Sequence, residues 1–152
     1  TNVTVEAKLD RFYAMPAPGA DQNEIEWMTG GAVAEDFDGD GWIDIFFLGG
    51  GIAPTSLFIN QQDGTFADEA ESRGAALKTV QGSSAGASDY DNDGAIDIVV
   101  TNLVAPHILL INDGNGNFRA DAEMLMRPAA FATSPSWGDV DGDGLLELVI
   151  GG

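Results

Sequence analysis

The sequence predicts an all-β chain of β-propeller blades, four-stranded antiparallel repeats of about 50 residues, with too few blades here to close a ring. Three observations carry that prediction. An acidic nine-residue frame recurs as DFDGDGWID at 36–44, DYDNDGAID at 89–97 and DVDGDGLLE at 139–147. A second landmark, SLFINQQDGTFAD at 56–68, returns as HILLINDGNGNFRAD at 107–121, with Asn60 and Asn112, and Phe66 and Phe118, each 52 residues apart. Between the landmarks the chain alternates short β-rich runs with turn residues. Helical spacing touches only 68–78 and 121–127, each too short to change the class.

Each unit reads as four strands. A small-residue segment precedes each frame, GGAVAE, SAGAS or SPSWG, and forms the first strand. The frame follows as a loop. Then come IDIFFLGG, IDIVVTN and LELVIGG, rich in β-branched and aromatic residues and ended by Gly or Asn. LFIN and LLIN make the third strand and lead into QQDG and DGNG, hairpin turns because Asp-Gly and Asn-Gly accept positive φ. TF and NF start the fourth. DGNG is no phosphate loop, since neither a helix start nor a lysine follows it. A β-helix would have a shorter period, and a sandwich would not repeat its loops so faithfully.

The units divide the chain into an N-terminal extension at 1–29, a first blade at 30–82, a second at 83–129 and the front half of a third at 130–152. In the extension, NVTVEAKLDRF alternates like a strand. A ring needs about four to eight blades. Further blades are therefore expected from a longer chain or from another protomer, with residues 1–12 as a strand donated to a neighbour's third blade. Thr1 in first place reads as a processed product or an excerpt.

The 152 residues, 44% apolar, suffice for one globular core. Against 25 acidic residues stand 6 basic ones, a net charge of −19. Such a field repels nucleic acid and anionic membrane surfaces and attracts cations. Twelve of the 25 acidic residues, nearly half, lie in the three frames, so much of the charge belongs to sites rather than to a solvated face. There is no cysteine, hence no disulfide and no thiolate metal ligand. No apolar run approaches the roughly 20 residues of a membrane-spanning helix. Asn2-Val3-Thr4 is a weak glycosylation acceptor.

Four carboxylates in nine residues repel one another unless a cation sits among them. Ca²⁺ takes six to eight oxygens in a flexible shell, whereas Mg²⁺ dehydrates reluctantly and rarely uses so many protein oxygens. Positions 1, 3, 5 and 9 supply carboxylates, position 6 the glycine of a sharp turn, and position 7 a carbonyl oxygen. The first loop thus offers Asp36, Asp38, Asp40, the Trp42 carbonyl and Asp44. Asp89, Asp91, Asp93, the Ala95 carbonyl and Asp97 make the second set. The third is Asp139, Asp141, Asp143, the Leu145 carbonyl and Glu147, one methylene longer at its last position. About three Ca²⁺ per chain are expected, taking the formal charge from −19 to −13. An EF-hand is excluded, because position 12 is Phe47, Val100 or Ile150 and the flanks are strands.

The D-x-D-x-D-G-x-x-D loop between two strands, followed by LFINQQDGTFAD, resembles the FG-GAP/VCBS repeat family over roughly 30–152. Those are the calcium-binding blades of integrin α-subunit propellers and of many secreted bacterial proteins. LFIN…DGTFAD looks most like the bacterial and cartilage-acidic-protein branch. The resemblance assigns calcium to the loop residues named above. The Phe-Gly and Gly-Ala-Pro signatures are degenerate, reduced to GGA at 30–32 and SAGA at 84–87.

The expected function is a non-enzymatic, secreted or cell-surface module, periplasmic in a bacterium, that binds a protein or glycan while Ca²⁺ fixes its blades. Two alternatives stand beside it: a propeller domain of a secreted carbohydrate-active enzyme, and a structural subunit of a filament or lattice. His107, the one histidine, reads as structural rather than as a zinc ligand or a catalytic group. Trp27, Trp42 and Trp137 could stack on sugars but read first as core, as do Met124 and Met126. The six basic residues form no cluster, and no arrangement suggests nucleophilic catalysis.

Overall fold

The computed structural model describes residues 6–9, 30–49, 54–78, 80, 82–103, 105–121 and 134–151. Four strands, β1 (Gly31–Glu35), β2 (Asp44–Leu48), β3 (Ser56–Asn60) and β4 (Phe66–Asp68), form one antiparallel sheet in sequence order. The arrangement repeats in β5 (Gly82–Ser88), β6 (Asp97–Asn102), β7 (Ile108–Asn112) and β8 (Phe118–Asp121). A third sheet holds β9 (Ser134–Gly138) and β10 (Glu147–Gly151). Among the described residues every regular element is a strand, and the sheets do not close into a ring. The chain is all-β and bladed, as the repeat predicts.

The small-residue segments are where blades converge. The Gly30 N–H donates to the Gly82 carbonyl (3.1 Å), linking blade 1 to blade 2. A methyl group on Gly82 would come within 2.6 Å of the buried Leu48 side chain, which would have to shift to admit it. Burial then follows the stacking. In β2 alternate residues are buried, β6 is buried at every position, and β10 is half-exposed. Blade 2 is covered on both faces, by blade 1 and by the third sheet; in blade 1, Ser56, Leu57, Phe58 and Ile59 of β3 are buried as well. Accordingly Ile98, Val100 and Leu110 join Phe46, Leu57, Ile59 and Phe37 in a core between blades 1 and 2. Their strand neighbours Val99, Leu109 and Ile111 face Trp137 and Leu148 of the third sheet. The period of two along β6 and β7 thus feeds two cores at once.

After β4 the chain makes one turn at 70–74 rather than a helix, closed by Ala75 N–H to the Ala70 carbonyl (2.9 Å). Its Gly74 has φ +75°, and the Phe118 N–H of the next blade donates to the preceding Arg73 carbonyl (2.6 Å). Residues 6–9 repeat this arrangement. Lys8 has φ +59°, and the Phe66 N–H of blade 1 donates to the Ala7 carbonyl (3.0 Å). This part of the extension is a turn against its own first blade, where the alternation predicts a strand; the rest of 1–29 lies outside the described residues, as do Met124 and Met126. A left-handed residue cannot continue a strand. At Gly74 a methyl would overlap the Phe118 carbonyl oxygen. Gly74→Ala is therefore expected to cost about 3 kcal/mol, from backbone strain and overpacking together. Urea unfolding measures it, and an unchanged midpoint would refute the packing described.

Candidate metal centres

The three acidic loops occupy the same place in each blade. The residue before each frame pairs across the sheet with the frame's ninth residue: Glu35 with Asp44, Ser88 with Asp97, Gly138 with Glu147. Within the loops one hydrogen-bond pattern recurs. The first carboxylate turns inward and accepts the N–H groups of positions 5 and 6. Asp36 takes Asp40 and Gly41 (3.1 and 2.8 Å), Asp89 takes Asp93 and Gly94 (3.0 and 3.0 Å), and Asp139 takes Asp143 and Gly144 (3.1 and 3.0 Å). The carboxylate at position 5 accepts the N–H of position 7, from Trp42, Ala95 or Leu145, each at 2.8 Å. Position 6 is left-handed in all three, with φ +88°, +92° and +89°, which is why it is glycine.

The carboxylate at position 9 is an anchor. Asp44 accepts the Phe37 and Asn60 N–H groups (3.1 and 2.8 Å), and Asp97 those of Tyr90 and Asn112 (3.4 and 2.8 Å). Glu147 accepts the Val140 N–H (2.7 Å); no third strand stands beside it among the described residues. Both Asp44 and Asp97 are 1% exposed. Burial raises the Asp97 carboxyl to about 6, with the charges of Asp91 and Asp93 adding and its backbone partners opposing. Asp44 is raised for the same reasons, burial first. A cation in either loop would reverse that bias.

Carboxylate oxygens converge in each loop to within 4.8 Å of one another: Asp36, Asp38 and Asp40 in the first, Asp89, Asp91 and Asp97 in the second, and Asp139, Asp141 and Glu147 in the third. Asp44, Asp93 and Asp143 stand outside these groups, the last two engaged with the position 7 N–H. Trp42 and Leu145 are exposed at the loop surface, and Ala95 is buried. The donor set is all oxygen, which suits a hard cation. One observation bears directly on fit: Asp38 Oδ1 is buried yet has no hydrogen-bond partner. An orphaned carboxylate oxygen beside two other carboxylates is a place for a positive charge.

Position 2 of the loop, which supplies no ligand, is structural in the first two loops, whereas Val140 of the third is exposed. Phe37 is 1% exposed and meets Phe118 of blade 2 edge to face, centroids 5.8 Å apart. Tyr90 lies against Trp137 at 6.0 Å. Asn112 was legible only as a repeat landmark. Its Nδ2 donates to the Phe37 carbonyl of blade 1 (2.7 Å) and the Ile96 carbonyl (3.0 Å), and its Oδ1 accepts Gly114 and Gly116 N–H (3.1 and 3.0 Å). His107 is buried, and its Nδ1 accepts the Asn102 N–H (3.1 Å); burial pushes its basicity down, so it is a neutral strand-end acceptor. Trp27 lies outside the described residues.

Comparison with known proteins follows the same frames. Over 98 residues, 62% of this chain, the sequence is 33% identical to cartilage acidic protein 1 of Homo sapiens, and over 99 residues 34% identical to that of Xenopus tropicalis. The chain spans about 15% of the length of these relatives. A family profile described as FG-GAP-like repeat matches residues 36–100 and again 89–150, each match opening on an acidic frame. With more than half of its length so matched, the chain belongs to the FG-GAP-like repeat family.

Proposed function

We propose that this chain is a calcium-fixed stretch of an extracellular propeller, serving protein or glycan interaction rather than catalysis. The observation that carries the reading is the orphaned, buried Asp38 Oδ1 within a carboxylate frame that recurs with the same hydrogen bonds in three blades. Each loop joins the first two strands of its blade, so an ion there clamps the strand pair and offsets carboxylate repulsion. Millimolar extracellular calcium suits sites with Kd of roughly 10⁻⁴–10⁻³ M. The relatives are named for cartilage and for acidity, which fits an extracellular, anionic protein. The ligand set proposed is the full fifteen: Asp36, Asp38, Asp40, the Trp42 carbonyl and Asp44, with the corresponding residues of the other two loops.

Further blades, from this chain's own continuation or from another protomer, are proposed to complete the ring. Val149 is exposed on β10 of the two-stranded third sheet, and Val140 and Leu145 on the loop joining β9 to β10, where further strands would cover apolar surface. The test is a native mass spectrum before and after chelation. Three Ca²⁺ per chain, lost to the chelator, is the expected result. No bound ion at millimolar calcium would sink the reading, whereas one or two would restrict it to particular loops.

A further inference from the structure

Arg73 sits at the join between the first loop and the second blade. Its guanidinium donates to Glu69 Oε2 (2.7 Å), to Asp38 Oδ2 (3.2 Å) and to the Asn115 carbonyl in the β7–β8 turn (2.7 Å). Its own carbonyl accepts the Phe118 N–H. Gly116 of the same turn leaves the room: a methyl there would lie 2.5 Å from Arg73 Nη1 and 2.9 Å from Asp38 Cβ. One side chain therefore touches a loop carboxylate, its own blade and the neighbouring blade.

Asp38 is divided between two tasks. Oδ2 is held by Arg73, and Oδ1 is left buried and unpartnered beside Asp36 and Asp40. At the same position the second and third loops have Asp91 and Asp141, both exposed. The turn at 6–9 supplies an internal comparison, because it makes the same backbone contact to Phe66 with Ala7 in place of Arg73. That contact needs no guanidinium, so the side chain of Arg73 has another use. We propose that Arg73 is a positioning residue for the first loop, fixing Asp38 for a divalent cation and linking occupancy of that loop to the seating of blade 2. This rests on the calcium reading above.

A cationic side chain near a cation site invites the opposite expectation, that it weakens binding. Glu69 answers it. At 2.7 Å its carboxylate neutralises the guanidinium, leaving little net charge to oppose an ion. What remains is geometry. A planar fork reaches Asp38, Glu69 and the Asn115 carbonyl from three separate nitrogens, a spread that lysine, with all its donors on one nitrogen, does not match. Linkage then runs both ways: an ion that fixes Asp38 steadies Arg73 on the blade 2 turn, and a seated turn favours the ion.

The amide signals of Gly41, Gly94 and Gly144, each bonded to its loop's first Asp, let a calcium titration followed by NMR read the three loops separately. In the unaltered chain all three are expected to shift, with Asn115 and Gly116 following Gly41. In Arg73→Met the Gly41 midpoint should move to about fivefold higher calcium or more, Gly94 and Gly144 should titrate as before, and Asn115 should no longer follow. Arg73→Lys, which keeps the charge, should behave in the same way, and the two unaffected loops report that each variant is folded. A Gly41 midpoint that is unchanged or tighter in both variants would overturn the proposal while leaving calcium binding intact. If no glycine shifts in the unaltered chain at millimolar calcium, the calcium reading itself fails and this inference with it.

Discussion

Asn112→Ala is expected to cost about 4 kcal/mol, and Asn60→Ala, at the matching place in blade 1, only about 1 kcal/mol. The two residues are landmarks of one repeat, and each backbone N–H donates to the position 9 carboxylate of its blade, Asp97 or Asp44. Their side chains differ in reach. Asn60 is half-buried and stays within its blade, donating to the Ile43 carbonyl and accepting the Gln62 N–H. Asn112 is 2% exposed and serves four backbone groups, among them the Phe37 carbonyl of the preceding blade. Truncation strands those groups in a site closed to water, and an unpaired buried group costs about 1–3 kcal/mol. Thermal and urea unfolding in saturating calcium would measure the difference, on the order of 10 °C in midpoint at this chain length. Asn112→Asp separates the contributions, since it keeps an acceptor for Gly114 and Gly116 but removes both donors. Equal costs for Asn112→Ala and Asn60→Ala would mean that the inter-blade bond is not a source of stability.

That asymmetry also marks how far the sequence could be read. Strand order, the four-strand unit and the place of each acidic loop are local properties, written in a 50-residue period and in turn residues such as Gly64 and Gly114, and the structure carries them. The 52-residue spacing of Asn60 and Asn112 gave a signal that both matter, but not that one of them bridges blades. That bond joins residues 75 apart and exists only after stacking. Arg73 was invisible for the same reason: a scan for basic clusters finds none, because its partners Asp38 and Asn115 lie 35 and 42 residues away. Within the loops, composition proposes four carboxylates per site, while the convergence differs from loop to loop. Asp40 turns in at the first, Asp97 and Glu147 at the others. Which carboxylate turns in depends on side-chain and backbone bonds that the repeat motif does not encode. At 6–9 the chain departs from the strand that alternation predicts, because alternation reports side-chain polarity and carries no sign of the positive φ of Lys8 or of the bond that the Ala7 carbonyl accepts from Phe66.

Chelation should lower stability by about 4 kcal/mol relative to millimolar calcium, and the loss should shrink as the solution is acidified. Each site filled at roughly ten times its Kd contributes about 1.4 kcal/mol by mass action, and three loops make the total. The pH dependence follows from Asp97. Its carboxyl, raised by burial to about 6 in the ion-free fold against an ordinary value near 3.8, binds a proton more tightly folded than unfolded. The ion-free chain therefore loses stability as pH rises from about 4 through 6, the penalty being complete above that. The calcium form needs the same carboxylate ionised, so the ion competes with the proton and its advantage fades below pH 6. Melting curves with calcium and with chelator should lie farthest apart near pH 7 and approach one another at pH 5. A separation that persists unchanged at pH 5 would assign the ion's effect to carboxylates other than Asp97. Coincident curves at pH 7 would mean that no bound ion contributes, leaving the loops to protein hydrogen bonds and, at Asp38, to the Arg73 ion pair.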